Sequence, residues 1–393
     1  MEPNKDNEDN TLTPFEKEEI KHYKNIYYSG KLENKLDITL EEYEKNNNIF
    51  SKNNRYIINK GDHISYRFNI LEIIGKGTYG TVVLAKDHKR DIIRGIKIFN
   101  NLEYISKKKI NSIFQHEINI LNIMYEKFTH YLNKELFTLY SYDDIFRNHN
   151  YIVFKLYGKN LFQDRYRIIE STIYNKLTII KEIFLALEFL SNSYPKIIHG
   201  DIKPENILFR NEDPYKFNIV LCDFGLSQII EKEHKYITTD TLIQTRWYRS
   251  PDIFFNIPFN EKIDVWSAGC IIFELLEDRP LFKSKTDSDQ IIYIHYILGY
   301  PTYTYIDRYQ NIKQWYDRKY KLNNITNKNG KNMYPNTGHL ILDKYFEFDL
   351  NNKTAQLKYH LIRLVYKCLE YNSQERISAK NAIKFIKSYC EFD

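Results

Sequence analysis

The pattern of apolar and polar residues changes sharply along the chain. Residues 1–60 are polar, rich in Asn, Lys and Glu, and carry only a short amphipathic patch at residues 12–20. This pattern predicts an N-terminal extension that is partly ordered at best. From Phe68 short runs of β-forming residues alternate with Gly-rich or charged turns, at residues 68–74, 81–86 and 92–99. These runs predict a small antiparallel sheet.

A helix and further strands follow this predicted sheet. Residues 111–125 place apolar side chains on one helical face, at Ile113, Ile118, Ile120, Leu121 and Met124. Another strand pair ends at residues 151–154. Beyond Gly158 amphipathic helical stretches dominate, the clearest at residues 177–190, 263–276 and 361–369. The pattern therefore predicts a strand-rich lobe followed by a helix-rich lobe, without an internal repeat.

Composition and charge are those of an ordinary globular protein. The 393 residues, 42% hydrophobic and 27% charged, allow one large domain or two modest ones. The 57 Lys and Arg residues against 51 Asp and Glu give a net charge of +6. Because this excess is spread along the chain, we expect no direct nucleic-acid partner.

The cysteines and the N-terminal residues indicate the cellular compartment in which the protein is expected. Cys222, Cys270, Cys368 and Cys390 are scattered and form no C-x-x-C pair, which disfavours a disulfide framework and a zinc site. The N-terminus lacks the basic start and apolar stretch of a signal peptide, and no run of about 18 apolar residues occurs. We expect an intracellular protein, cytoplasmic, nuclear or both, without a membrane segment.

A glycine-rich motif lies between two predicted strands: Gly75-Lys-Gly-Thr-Tyr-Gly80-Thr-Val82, or G-x-G-x-x-G-x-V. Its glycines let a hairpin approach phosphates and offer backbone N–H groups. The pattern also fits a Rossmann turn, but that turn needs a helix after the glycines, and residues 81–85 are strand-like. By itself the motif is weak evidence for nucleotide binding.

Lys97 lies between Ile96 and Ile98 on the third predicted strand. A desolvated ammonium group there needs an anion, and Glu117 on the following helix is a candidate carboxylate. Together the two residues would hold a contact to nucleotide phosphates. The alternative is a surface Lys with its stem buried and an exposed helical Glu.

The most specific stretch is His199-Gly-Asp201-Ile-Lys203-Pro-Glu-Asn206, followed by Asp223-Phe-Gly225. Phosphoryl transfer needs a carboxylate that orients the acceptor, a cation near the moving phosphate and oxygen ligands for Mg²⁺, and this stretch offers all three. Here the sequence resembles the eukaryotic protein kinase family, from about Phe68 to the C-terminus. The resemblance implies an α+β bilobal kinase fold. Its N-lobe, residues 68–154, would hold an antiparallel sheet and one main helix, and its C-lobe, residues 158–390, would be mostly helical.

The resemblance also implies a role for each matching residue. Asp201 would be the catalytic base, Lys203 would steady the γ-phosphate, and Asn206 and Asp223 would bind Mg²⁺. The implied ATP-binding residues are Ile74, Gly75, Lys76, Gly77, Thr78, Tyr79, Gly80, Thr81, Val82, Lys97, Glu117, the gatekeeper Phe154 and the hinge residue Leu156. The other implied roles are structural or substrate-positioning: His199 stacked with Phe224 and Leu121, Asp264 anchoring the catalytic loop, the ion pair of Asp252 with Arg376, and Arg249 positioning the substrate.

The motifs are similar to those of the CMGC group of kinases but leave the family open. The group is indicated by residues 245–252 (Thr-Arg-Trp-Tyr-Arg-Ser-Pro-Asp), 289–290 and 297–299. Residues 12–30, 61–67 and 146–149 resemble the dual-specificity tyrosine-regulated kinases. Residues 197–208 and 243–250 resemble the SR-protein kinases. Residues 156–158 resemble either the SR-protein kinases or the Cdc-like kinases.

Departures from the family pattern concern regulation. Gly200 stands where many kinases have an Arg that receives a phosphorylated activation loop. The tyrosines that tyrosine-regulated kinases phosphorylate would fall at Asp240 and Leu242, which cannot accept phosphate. These positions predict constitutive activity, with a loop held by packing and fixed charge. Gly95 replaces the usual Ala before Lys97 and thins the roof over adenine.

The resemblance implies a monomeric ATP- and Mg²⁺-dependent kinase that phosphorylates Ser or Thr in protein substrates, at Ser-Pro or Arg/Ser-rich sites. The main alternative is a pseudokinase or scaffold that binds nucleotide without transfer. A small-molecule kinase of similar fold is disfavoured, because Arg249 and Asp252 would have no purpose there.

Overall fold

The structure, a computed structural model, describes residues 11–100, 107–128, 135–192, 194–239, 242–318, 322 and 352–390. The chain divides into two compact units. The first comprises Met1–Asn122 and Thr138–Leu156, and the second comprises Ile123–Phe137 and Tyr157–Asp393. The predicted order of a strand-rich region before a helix-rich one is confirmed.

The first unit is built on one antiparallel sheet. Its strands are Ser51–Lys52 (β1), Arg55–Tyr56 (β2), His63–Ile64 (β3), Phe68–Lys76 (β4), Gly80–Asp87 (β5), Ile92–Phe99 (β6), Tyr140–Phe146 (β7) and His149–Lys155 (β8). Strands β1 and β2 form a separate antiparallel pair, and the other six strands form the main sheet in the order β3-β4-β5-β6-β8-β7. Its helices are Pro14–Glu19 (α1), Leu40–Lys45 (α2) and the first part of Lys107–Lys127 (α3). The predicted strands and the helix at residues 111–125 are therefore confirmed.

Residues 11–60 pack onto this sheet. Phe15, Ile38, Phe50 and Tyr56 are buried in the same apolar cluster as strand residues such as Phe68. The polar pattern predicts an extension that is partly ordered at best, because the apolar residues here are too widely spaced to show a period. They become core residues through contact with the sheet, which no local pattern records.

A buried network of charged side chains joins α1 to the turn between β7 and β8. Arg147 in that turn donates to Glu16 at 2.8 Å and to Glu19 at 2.8 Å, and its side chain is 2% exposed. Glu16 also contacts His63 Nε2 at 2.9 Å and forms an ion pair with Lys35. Burial by itself would raise the pKa of Glu16, but these partners lower it to about 2. The first helix is thus held by ionised groups inside the fold.

The second unit is mainly helical. Its helices are Arg165–Ile169 (α4), Ile173–Asn192 (α5), Pro251–Phe254 (α6), Lys262–Glu277 (α7), Asp287–Leu298 (α8), Tyr303–Arg308 (α9), Gln310–Lys313 (α10), Lys353–Cys368 (α11) and Ala379–Tyr389 (α12). The helices predicted at residues 177–190, 263–276 and 361–369 lie within α5, α7 and α11. Helix α7, predicted as amphipathic, is buried on nearly all sides because it packs against both α5 and α11. Every helix in the described ranges falls short of the length or apolar content needed to cross a membrane.

Short strands of the second unit frame its loops. They are Lys196–Ile198 (β9), Ile207–Phe209 (β10), Ile219–Leu221 (β11) and Gln228–Ile230 (β12), with β9 paired to β12 and β10 to β11. Residues 123–137, assigned to the N-lobe by their sequence position, cluster with this unit. Phe137 forms a β-bridge with Leu221, and its ring lies 5.3 Å from that of Phe189. These contacts, and not the position in the chain, decide to which unit Phe137 belongs.

Candidate active site

The glycine-rich motif forms the hairpin between β4 and β5. Lys76 pairs with Thr81, and the Gly77 N–H donates to the Gly80 carbonyl at 2.8 Å. A Cβ atom at Gly80 would lie 2.5 Å from the carbonyl oxygen of Ile98 on β6. A side chain at position 80 would therefore push the hairpin off the sheet, which is the steric reason for this glycine.

The carbonyl groups at the hairpin tip are turned toward protein donors. Gly77 O accepts from Arg55 at 3.0 Å, and Thr78 O accepts from the Asn100 side chain at 2.8 Å. Tyr79 O accepts from the Asn100 N–H at 2.9 Å. Because the negative ends of these peptide dipoles are engaged within the protein, an approaching phosphate meets less repulsion. The tip is therefore suited to an anionic ligand.

Lys97 and Glu117 are brought together in the first unit. Lys97 lies on β6, paired with Val82 on one side and Ile152 on the other, and Glu117 lies on α3. The ammonium contacts both carboxylate oxygens, at 2.7 and 3.0 Å. The side chains are 11% and 2% exposed, so each charge depends on the other for its stability. The alternative of a surface Lys and an exposed Glu is wrong.

The remaining ATP-binding candidates of the first unit lie on or next to three strands. Ile74 lies near the end of β4 and is 38% exposed, and Val82 lies on β5. Leu156 comes just after β8 and is 37% exposed. Phe154 on β8 pairs with Gly95 of β6. A Cβ built on Gly95 meets no atom within 4 Å, so the glycine leaves open space beside Phe154.

Asp201 lies in the loop between β9 and β10, and its carboxylate is held on both oxygens. Oδ1 accepts from the Thr245 N–H at 3.0 Å and from Thr245 Oγ1 at 2.7 Å. Oδ2 accepts from Asn206 Nδ2 at 3.1 Å and lies 2.7 Å from Lys203 Nζ. Burial opposes the charge on Lys203, but Asp201 raises its pKa above the usual value. The result is a fixed ion pair between Asp201 and Lys203 in this loop.

Asn206 and Asp223 have the donor atoms of a divalent cation site. Asn206 Nδ2 donates to the carbonyl and the carboxylate of Asp201, at 2.9 and 3.1 Å, so the amide oxygen is the atom turned to a ligand. The Cys222 N–H donates to Asn206 O at 3.0 Å, which brings the neighbouring Asp223, at φ 66°, close to Asn206. An amide oxygen and a carboxylate are hard donors that fit Mg²⁺.

A second group of potential metal ligands lies in the first unit. Ligand atoms of Glu16, Asp62 and His63 lie within 4.8 Å of one another. Lys35 and Arg147 both form ion pairs with Glu16, so its charge is already balanced by two cations. We therefore assign no metal to this group.

The backbone of the Asp201 loop is fixed by Asp264 on α7. The Asp264 carboxylate accepts the N–H of His199 at 2.7 Å and of Gly200 at 2.9 Å. Burial raises the pKa of Asp264 to about 7, against the effect of these two bonds. Gly200 has φ 77°, and a Cβ there would lie 2.5 Å from Leu226 O. Position 200 therefore requires glycine for a steric reason, in addition to lacking the Arg that many kinases have there.

His199 has the surroundings of a structural residue. It is fully buried, its Nε2 lies 3.1 Å from Cys222 O, and its ring lies 4.9 Å from that of Phe224. Burial lowers the pKa of His199, so the imidazole is neutral. Leu121, expected in the same stack, is a buried residue of the first unit.

The remaining candidates lie behind the loop. Arg376 Nη2 contacts Asp252 Oδ2 at 2.7 Å, and both side chains are at most 1% exposed, which is the buried ion pair that the resemblance implies. Arg249 is 5% exposed and donates to the carbonyls of Ile243 and Gln244. These bonds hold the backbone just before Thr245, and the substrate-positioning role of Arg249 stays a prediction.

Sequence reasoning missed Asn100, Gln244 and Thr245. Gln244 has φ 62°, donates its N–H to Gly200 O at 2.7 Å, and donates its side-chain amide to Ser267 Oγ at 2.8 Å. Gln244 and Thr245 lie inside the family-like stretch of residues 243–250, which was a usable signal. Asn100 follows β6 directly, and nothing in its residue type indicates the contact with the hairpin.

Comparisons with known proteins agree with this geometry. A family model described as "Protein kinase domain" matches residues 68–385. The chain is 33% identical over 381 residues to "Serine/threonine-protein kinase ppk5" of Schizosaccharomyces pombe, covering 95% of the chain and 42% of that protein. It is 32% identical over 340 residues to "Dual specificity tyrosine-phosphorylation-regulated kinase 4" of Homo sapiens, covering 85% and 61%. It is 31% identical over 387 residues to "Dual specificity tyrosine-phosphorylation-regulated kinase 2" of Drosophila melanogaster, covering 95% and 49%.

The chain thus spans from 42% to 61% of the length of these relatives. Of the three families that the motifs leave open, the comparison supports the dual-specificity tyrosine-phosphorylation-regulated kinases, because two of these relatives carry that name. The matched range includes the glycine-rich hairpin, the Lys97–Glu117 pair and the Asp201 loop. This chain belongs to the protein kinase family, with homologues among the dual-specificity tyrosine-phosphorylation-regulated kinases of the CMGC group.

Proposed function

We propose that this protein is a serine/threonine protein kinase that transfers the γ-phosphate of Mg·ATP to protein substrates. The observation that carries the proposal is the environment of Asp201, a carboxylate held on both oxygens and paired with Lys203. The Lys97–Glu117 pair and the oxygen donors of Asn206 and Asp223 accompany it. A pseudokinase has no need to retain this complete set, so the set supports transfer over nucleotide binding alone.

In this mechanism Asp201 orients the acceptor hydroxyl and takes its proton as the hydroxyl oxygen attacks the γ-phosphorus. The bond from the γ-phosphorus to the bridging oxygen breaks, and ADP leaves. Lys203 balances negative charge on the moving phosphoryl group, and Lys97, aligned by Glu117, contacts the α- and β-phosphates. When held by Asn206 and Asp223, Mg²⁺ supplies charge neutralisation to the phosphates.

Among the two substrate classes, the backbone at Gln244 supports Ser-Pro or Thr-Pro sites. The Gln244 carbonyl accepts from Arg249 Nε at 3.1 Å and from Nη2 at 2.9 Å, so it is already engaged. Gln244 precedes Thr245, which contacts Asp201, so the substrate residue after the acceptor passes beside Gln244. An N–H there would lose a partner on leaving water, whereas proline has no N–H to satisfy.

The test is phosphate transfer by the purified full chain to three peptides. Two differ only in Pro or Ala after the Ser, and the third is an Arg-Ser repeat. We expect transfer to the Ser-Pro peptide, with Asp201→Asn slower by about 10²-fold or more. Glu212→Gln, which removes an exposed carboxylate of the same unit, should match the wild type. Binding of Mg·ATP without transfer would establish a pseudokinase, and preference for the Arg-Ser repeat would overturn the substrate assignment.

We also propose that the protein is a monomer inside the cell, in the cytoplasm, the nucleus or both. Its four cysteines all lie in the described ranges and form no disulfide bond with one another, which suits a reducing compartment in which ATP is available. Light scattering of the purified chain and imaging of the tagged full-length protein test these two statements. A dimer, or a secreted product, would contradict them.

A further inference from the structure

Two arginines near Asp201 share one carboxylate. Arg246 Nε donates to Asp287 Oδ1 at 2.6 Å, and Arg249 Nη1 lies 3.4 Å from the same oxygen. Asp287 is the first residue of α8, whose start is capped by Thr286 and Asp289. Because the cap fixes the first turn of the helix, the carboxylate of Asp287 has a defined position relative to both guanidinium groups.

A continuous set of hydrogen bonds connects this carboxylate to Asp201. Arg249 donates to the carbonyls of residues 243 and 244 at 2.9–3.2 Å. The Gln244 N–H donates at 2.7 Å to the carbonyl oxygen of Gly200, the residue that precedes Asp201. The next residue, Thr245, donates twice to the Asp201 carboxylate. A change at Asp287 therefore reaches Asp201 through the backbone of residues 243–245.

Electrostatics gives Asp287 a specific task. Burial lowers the pKa of Arg249 and Asp287 raises it, while Arg246 lowers it further and Asp201 raises it to a smaller extent. Without the Asp287 carboxylate the two guanidinium groups would repel each other, and Arg249 would be a buried cation without this counter-charge. The backbone carbonyls that Arg249 holds would then be free to turn.

We propose that Asp287 is a positioning residue whose fixed negative charge holds residues 243–249 with Thr245 against Asp201, so that transfer needs no phosphorylation of the preceding segment. The inference rests on the proposed function and extends it to regulation. It fits Gly200, which has no side chain to receive a phosphate, and Leu242, which is 63% exposed and cannot carry one. A carboxylate built into α8 takes the place of an added charge.

The experiment compares Asp287→Asn, Asp287→Glu and the control Asp289→Asn in phosphatase-treated full-length protein. Asp289 lies on the same helical turn and accepts the Thr286 N–H at 3.0 Å. Asparagine keeps a side-chain oxygen that can accept this bond, so Asp289→Asn removes an equal charge from the same turn and retains the cap. For Asp287→Asn we expect kcat/KM for the peptide to fall about tenfold, the scale of one charge-assisted hydrogen bond, with KM for ATP unchanged. Asp287→Glu should recover most of the loss, and Asp289→Asn should stay within about twofold of the wild type.

Amide hydrogen exchange provides a readout that does not need activity. The N–H groups of Gln244 and Thr245 are both hydrogen-bonded, so their exchange should accelerate in Asp287→Asn and not in Asp289→Asn. Faster exchange in Asp287→Asn, together with no phosphate transfer by the wild-type chain, would refute the proposed function and leave the positioning role standing. Unchanged kcat/KM and exchange in Asp287→Asn would overturn the role of Asp287. Loss of wild-type activity on phosphatase treatment would overturn the independence from phosphorylation.

Discussion

Arg147→Met is the sharpest test of whether the N-terminal residues belong to the folded domain. The Arg147 guanidinium pairs with Glu16 and Glu19 and lies 4.1 and 4.6 Å from the ring centres of Phe50 and Phe146. Methionine keeps much of the apolar stem and removes the charge. Both residues are equally disfavoured at the φ of 48° found at this position, so backbone strain does not enter the comparison.

The magnitude follows from what each carboxylate retains. Glu16 keeps His63 and Lys35, and Glu19 keeps the hydroxyl of Tyr66 at 2.8 Å. Removing one partner of a buried ion pair costs about 3–5 kcal/mol, and the remaining partners place this variant at the lower end. We expect the free energy of unfolding of the first unit to fall by about 3 kcal/mol.

The assay is urea unfolding with proteolysis, read by mass spectrometry of cleavage within residues 11–60. This readout follows the first unit even where the two units unfold separately. The control is Arg165→Met, whose ion pair with Asp278 has side chains 53% and 45% exposed. Such a pair contributes at most about 1 kcal/mol. Equal effects of the two variants would refute the conclusion that the buried network holds residues 11–60 in the fold.

Two further predictions concern the nucleotide contact and acid stability. Lys97→Met should slow transfer by about 10²-fold or more, because Glu117 loses the cation it aligns. Lys86→Met, at a partly exposed position, should leave the rate unchanged. Equal transfer rates for the two variants would contradict a phosphate contact at Lys97. Burial lowers the pKa of His295 from 6.5 to about 4, with Nε2 beside the Tyr316 hydroxyl at 2.7 Å. Because the unfolded chain then binds more protons, the free energy of unfolding should fall as the pH drops from about 6.5 to about 4. His295→Gln should flatten that fall, and identical urea midpoints for the two proteins across this window would contradict the assignment.

Local patterns were sufficient wherever a secondary-structure element is regular. The runs of β-forming residues at 81–86 and 92–99 predict strands, and β5 and β6 follow those ranges closely. The pairing of Lys97 with Glu117 could also be predicted, since an ammonium between apolar strand residues needs an anion and few carboxylates are near in sequence.

Local patterns failed where a contact joins distant segments. Gln244 and Thr245 are ordinary polar residues by type, and only the approach of their backbone to the Asp201 loop gives them a task. Arg147 shows the same limit, because a charged residue in a hairpin turn is expected at the surface and here is 2% exposed. Its burial depends on carboxylates from α1, more than a hundred residues away in sequence.

The sequence by itself determined the order of strands and helices, the identity of the chemical groups and the family to which they belong. Each of these depends on residue type and spacing, which are properties of the chain before it folds. The tertiary structure alone decided that residues 11–60 join the sheet, that position 200 must be glycine and that Asp287 faces two arginines. These are matters of close approach and burial, whose energies depend on distance between atoms and not on separation along the chain.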